Sequence, residues 1–181
     1  PEYPMPQFGN SGGIGTSILN LAKGLVAEGN EVTILVYGQK EDYLFEEEGI
    51  VFYSIKNIKF KGFSWYFTRK KIEKLINKLH RENKIDIVEA PDWTGITSFI
   101  KTSCPIVIRE NGSDTYFCHL DERKVKFKNY FHEKRALKKA TAIISVSEFT
   151  GNLTNTLFGL KRRFSVIPNS IDTNFFKPES Q

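Results

Sequence analysis

Six strand-sized apolar runs recur along this chain with helix-length polar or amphipathic segments between most of them, and that alternation limits the fold more than any other feature. They are Val32-Thr33-Ile34-Leu35-Val36-Tyr37, Ile50-Val51-Phe52-Tyr53-Ser54-Ile55, Asp86-Ile87-Val88-Glu89-Ala90, Pro105-Ile106-Val107-Ile108-Arg109, residues 141–146 and residues 164–167. Most are apolar throughout rather than alternating, which suits strands covered on both faces. Strands of that kind interleaved with helices predict an α/β fold, a Rossmann-like three-layer αβα sandwich with a mostly parallel sheet. Such sheets take their ligands at the carboxyl ends of the strands.

A second constraint comes from Gly9-Asn10-Ser11-Gly12-Gly13-Ile14-Gly15-Thr16-Ser17, which reads as a glycine-rich loop opening a helix over 15–28. Ile14, Ile18, Leu21 and Leu25 form its apolar stripe, and Gly29-Asn30 stops it. Glycines let the backbone turn sharply and a ligand approach closely, while the first helical turn offers unpaired N–H groups at the positive end of a dipole. Together these make a phosphate site. The plainer alternative is a turn capped by Thr16 or Ser17. A loop of this type follows a strand, and three prolines in the first six residues exclude one before Gly9, so a strand ahead of Pro1 is expected in the natural protein.

The remaining segments read in order. Residues 38–49 are polar and acidic, a loop with room for a short helix. Residues 64–83 form a basic amphipathic helix with Ile72, Leu75, Ile76 and Leu79 inward. A short helix over 94–102 is capped by Thr94, residues 110–115 are a loop, a basic helix covers 122–139, and a last helix runs from Ser147 or Glu148 to 157. The turns at Gly12-Gly13, Pro91-Asp92-Trp93, 110–115 and Ser147-Glu148 all lie where a strand passes into a helix, so they are expected to converge on one edge.

Length and composition bound the rest. The 181 residues amount to about one domain, and 40% apolar with 26% charged residues is the balance of an ordinary globular protein. No apolar run approaches the roughly 18 residues of a membrane span, and Pro1-Glu2-Tyr3-Pro4-Met5-Pro6 lacks the basic start and apolar stretch of a signal peptide. Cys104 and Cys118, the only cysteines, are spaced as neither metal knuckle nor redox pair, which predicts two free thiols in a reducing cytoplasm. The net charge of +5 is unevenly spread: residues 59–81 and 123–139 each hold eight Lys/Arg against one Glu, leaving the remainder acidic. Basic, aromatic-interleaved stretches such as Lys124-Val125-Lys126-Phe127-Lys128-Asn129-Tyr130-Phe131 suit a solvated helix face equally with nucleic acid, anionic lipid headgroups or a phosphorylated substrate.

Five motifs in order carry a resemblance. Pro1-Glu2-Tyr3-Pro4; Gly12-Gly13-Ile14-Gly15-Thr16 with Asn20-Leu21-Ala22-Lys23-Gly24-Leu25 and Gly29-Asn30-Glu31-Val32-Thr33; Asp86 to Trp93; Val146-Ser147-Glu148-Phe149-Thr150; and Val166-Ile167-Pro168-Asn169-Ser170-Ile171-Asp172 resemble the N-terminal, acceptor-side domain of a family 4 glycosyltransferase of the GT-B fold. The resemblance implies a Rossmann-like domain over 1–167 and a hinge over 168–181 leading towards a C-terminal donor-binding domain. It implies retaining transfer from a nucleotide-sugar donor to a saccharide or lipid-linked acceptor, in cell-envelope or polysaccharide synthesis. It also implies no metal and no cofactor, no nucleic acid, and a cytoplasmic location, with an anionic membrane surface on the inner face as a candidate partner.

In site terms, the resemblance makes Gly12, Gly13, Ile14 and Gly15 the loop facing the donor phosphate. Asp92, Trp93, Arg109, Glu110, Gly112, Asp114 and Glu148 are acceptor-binding candidates. Asn111 stands where relatives carry a histidine in a His-Gly pattern that contacts the transferred sugar. An amide can hydrogen-bond a hydroxyl but carries no proton at neutral pH, and His119, eight residues on, is either a substitute or merely exposed. Two other readings compete. One is a stand-alone or degenerate carbohydrate-binding module, which the replacement at Asn111 suits. The other is a dinucleotide-dependent oxidoreductase, which Gly13-Ile14-Gly15 hints at, but a third glycine and an acidic residue closing 32–37 are missing.

Overall fold

The structure, a computed structural model, describes residues 2–171 and Thr173. It divides into two compact units, Pro1–Asn57 with Asn169–Gln181 and Ile58–Pro168. Of the closing motif, Asp172 lies outside the described residues.

In the first unit a 15-residue helix, α1 (Gly13–Ala27), precedes β1 (Val32–Gln39), β2 (Tyr43–Glu47) and β3 (Ile50–Lys56). β3 is central, parallel to β1 and antiparallel to β2. The acidic stretch expected as a loop with a short helix therefore contains an edge strand. Its reason is one side chain: Phe45 stacks on buried Phe52 at 4.9 Å, while its neighbours along β2 face water as an edge strand allows. The helix starts two residues earlier than expected, with Gly12 as its N-cap, so Thr16 and Ser17 lie inside it and do not cap. Its inward stripe is also rotated. Ala22 is buried and Ile18, Leu19 and Val26 pack on a core of Tyr3, Ile34, Val36, Ile50 and Phe52, whereas Leu25 is exposed.

The second unit contains α2 (Ser64–Arg81), β4 (Val88–Pro91), a 3-10 turn at Trp93–Phe99, β5 (Ile106–Glu110), α3 (Asp114–Leu120), α4 (Phe127–Lys139), β6 (Ala142–Ser145), α5 (Glu148–Phe158) and β7 (Ser165–Val166). Its strands run β4-β5-β6-β7, all parallel, as the continuous apolar runs predict. Ala90, Ile108, Leu137, Ala140, Ile143 and Phe158 form the core. Ile72, Ile76 and Leu79 of α2 are buried at the expected helical spacing. Three local expectations are corrected. The 94–102 segment is a strained 3-10 turn in which Thr94 caps nothing and, like Gly95, has a positive φ. The loop expected over 110–115 is cut short by α3, which Ser113 caps by accepting the Tyr116 N–H. The basic helix begins at Phe127, five residues late, because Glu122 adopts φ 54° and ends the preceding turn.

Candidate functional site

Parallel pairing places the carboxyl ends of β4, β5 and β6 side by side: Pro91 lies opposite Arg109, and Glu110 opposite Ser145. The segments leaving those ends carry most of the candidate residues. Asp92, the first residue after β4, is 1% exposed, and its Oδ1 accepts the Asn111 N–H at 3.2 Å. Burial pushes its carboxyl up to about 7, with the charge of Glu133 adding to the rise and the Asn111 and Gly112 amides opposing it. Glu110, closing β5, is 2% exposed and pushed up to about 8, by burial first and by Asp92 second. Asp92 Oδ2 and Glu110 Oε2 have no hydrogen-bond partner among the described residues. Two buried carboxyls whose ionisation burial and a neighbouring carboxylate disfavour retain a proton near neutral pH.

A third buried carboxylate does more of the holding. Glu133 Oε1 accepts the N–H of Thr94 at 3.0 Å and of Asp114 at 3.1 Å, and Oε2 accepts both the N–H and the hydroxyl of Thr115. Thus one side chain of α4 ties down the turn after β4 and the turn after β5. From the other direction, buried Arg69 of α2 donates to the carbonyls of Thr94, Gly95 and Ile96. These contacts stabilise the left-handed pair Thr94 and Gly95. Gly95 is irreplaceable here: a Cβ would sit 2.3 Å from the His132 carbonyl. His132 itself is buried, with Nδ1 2.9 Å from the Ser98 hydroxyl, and burial together with Arg69, Lys128 and Arg135 pushes its pKa down to about 4, leaving the ring neutral.

Between these supports lies the turn through Asn111, half-buried, and Gly112 at φ 108°, where a Cβ would meet Phe117 at 2.8 Å. Asp114 Oδ2 accepts from the Asn129 amide at 2.8 Å. Trp93 is 37% exposed with its ring 6.3 Å from that of Phe117. Arg109 is buried and engaged: Nε and Nη2 donate to the two Glu89 oxygens at 2.7 and 3.1 Å, and Nη1 to the Ile167 carbonyl. Glu148 is exposed as the first residue of α5, whose cap is Ser147 through the Thr150 N–H. Gly12, Gly13, Ile14 and Gly15 belong to the first unit, where the Gly12 N–H at the start of α1 donates to the Glu2 carboxylate at 2.9 Å.

Within the second unit, then, Asp92, Trp93, Arg109, Glu110, Asn111, Gly112, Asp114 and Glu148 all lie on or just beyond the carboxyl ends of β4, β5 and β6. Asp92, Arg109 and Glu110 are buried members of that rim, whereas Trp93 and Glu148 face water. Glu133, Arg69 and Ser113 escaped the sequence reading. For Glu133 a signal existed, since it is the one acid among the eight basic residues of 123–139. Among the described residues no cluster of three or more His, Cys, Asp or Glu could hold a metal ion, and no helix is long and apolar enough to cross a membrane.

A parallel α/β unit with polar turns fixed at its strand tips defines a Rossmann-like domain. Residues 11–175 match the family model described as Glycosyltransferase Family 4, and the chain belongs to that family. A comparison with curated proteins gives no match.

Proposed function

We propose that this chain is the acceptor-side domain of a retaining glycosyltransferase, which moves a sugar from a nucleotide-sugar donor to a saccharide or lipid-linked acceptor. The setting is cytoplasmic, in cell-envelope or polysaccharide synthesis, and the reading calls on no metal or cofactor. The family match over 11–175 carries it. Transfer breaks the bond between an anomeric carbon and a diphosphate, so negative charge grows on the leaving phosphate. The amides opening α1 are chemically suited to that charge, and the Glu2 carboxylate on Gly12 is an anion already held there. On the acceptor side, Asn111 and Trp93 supply an amide for sugar hydroxyls and a ring for a sugar face, while Asp92 and Glu133 hold the turns in place.

The test is a screen of nucleotide-sugars with the complete natural protein, reading acceptor-dependent release of nucleoside diphosphate. Failure of every donor with saccharide and lipid-linked acceptors alike would overturn transfer. A second reading, a carbohydrate-binding module without transfer, draws on Asn111, which replaces a group able to carry a proton. Glycan binding without turnover, with turnover appearing in Asn111→His, would favour it.

A further inference from the structure

The segments that leave the carboxyl ends of β4, β5 and β6 are acidic. No Lys or Arg occurs over 88–100, 110–122 or 145–160, whereas those stretches hold Asp92, Glu110, Asp114, Asp121, Glu122 and Glu148. The cations closest to them in the chain are engaged elsewhere. Arg109 donates to Glu89 and the Ile167 carbonyl, Arg123 pairs with Asp121 at 3.0 Å, and Lys128 reaches over the Trp65 ring. An anionic ligand would meet like charge on this rim, while a neutral polyol finds hydrogen-bond acceptors there.

Two rings stand among these acids. Phe117 of α3 is 39% exposed and Trp93, two residues after β4, is 37% exposed, with centroids 6.3 Å apart and planes tilted by 55°. Phe117 is seated rather than free to swing. Its edge lies against Gly112, where a Cβ would come within 2.8 Å of the ring, and buried Tyr116 meets it edge-on at 5.3 Å. The helix beneath it is fixed by the Ser113 cap and by Glu133, which accepts the Asp114 and Thr115 amides. Leu120, three residues on along α3 and also exposed, continues the apolar strip. Apolar groups held this firmly at strand tips and yet open to water form a preorganised binding surface. Ring faces are electron-rich and the C–H bonds of a sugar have the opposite polarity. A pyranose therefore lays its C–H face on such a ring and turns its hydroxyls to polar neighbours.

We propose that Phe117 joins Trp93 as a wall that selects a neutral pyranose at this rim over an anionic one. The inference rests on the sugar-handling reading above and narrows it to one further residue and one class of acceptor. Its test is fluorine NMR of the complete natural protein labelled with fluorotryptophan, the Trp93 signal being the one lost in Trp93→Phe. The probes are methyl glucoside, galactoside and mannoside, with methyl glucuronide and galacturonide as anionic counterparts and sorbitol as a hydroxylated chain without a ring face. Expected is a saturable shift of the Trp93 signal with at least one neutral pyranoside, roughly tenfold weaker or absent with the anions and with sorbitol. Phe117→Tyr keeps the ring and holds the affinity within about threefold. Phe117→Leu keeps apolar bulk against Gly112 without a ring face and weakens binding roughly tenfold. A Trp93 signal that no pyranoside moves overturns the proposal, as does equal affinity for the anions or for sorbitol, or an unchanged titration in Phe117→Leu. The two readings fail separately. Nucleotide-sugar turnover with a still Trp93 signal keeps transfer and removes the wall, whereas a saturable shift without turnover keeps the wall and removes transfer.

Discussion

Asp92 and Asn111 are joined across neighbouring strand tips: the Asn111 amide donates to a carboxylate that is 1% exposed. Asn111 is therefore held by its backbone from the end of β4. Removing the acceptor strands a buried N–H, which costs about 1–3 kcal/mol, whereas an amide in place of the carboxyl keeps an acceptor oxygen. Asp92→Ala should lose about 2–4 kcal/mol of unfolding free energy in urea at pH 6, once the lost packing is added, and Asp92→Asn under about 1 kcal/mol. Equal losses in the two variants would show that the hydrogen bond holds nothing.

Protonation gives stability a slope on the alkaline side. Asp92 and Glu110 titrate higher in the folded chain than unfolded, so the folded state binds more protons, and their stabilisation is present at low pH and lost as pH rises through about 7 and about 8. For Asp92 alone the loss between pH 6 and 8.5 is on the order of 1 kcal/mol. Thermal melts over that range should fall for the wild type and flatten for Asp92→Asn combined with Glu110→Gln. His132 acts oppositely: its folded pKa of about 4 is depressed, so its contribution is present above the unfolded value and lost as pH falls through 4. NMR at pH 5 should find the His132 ring neutral.

Glu133 offers a sharper test of how the rim is built. It accepts three amides and one hydroxyl from two different turns, while a glutamine there would turn an NH₂ towards donors. Glu133→Gln should cost about 1–3 kcal/mol and Glu133→Ala about 3–5 kcal/mol in chemical denaturation. In both, amide exchange should accelerate at Thr94, Asp114 and Thr115 together, because one side chain protects all three. Faster exchange at only one of them would break the link between the turns.

How far these relationships could be read in advance depended on their range along the chain. Ile106–Glu110 and Ala142–Ser145 were legible because β-branched runs covered on both faces need no partner to declare themselves. Tyr43–Glu47 was not, since its place in the sheet hangs on Phe45 meeting Phe52 and the rest of the strand is solvated. At the site, the positions Asp92 and Glu110 followed from strand ends, and Asn111 from the resemblance. What pattern alone could not reveal was burial, which sets the Asp92 carboxyl against the Asn111 backbone N–H. Glu133 bonds residues 18 to 39 positions away, a distance at which local periodicity carries no information.

Glu2 supplies the last prediction, from the first unit alone. Its carboxylate occupies the Gly12 N–H at the head of α1, and an incoming phosphate oxygen would compete for the same donor and the same end of the dipole. Replacing Glu2 with alanine removes one negative charge and frees the amide, at a helix start where an anion is worth roughly 0.3–1 kcal/mol. Calorimetry with the complete protein should then record nucleoside-diphosphate affinity rising by about two- to fivefold in Glu2→Ala, while Glu2→Gln, which keeps an acceptor oxygen, gains less. Unchanged affinity in Glu2→Ala would mean that the phosphate bypasses this helix start altogether.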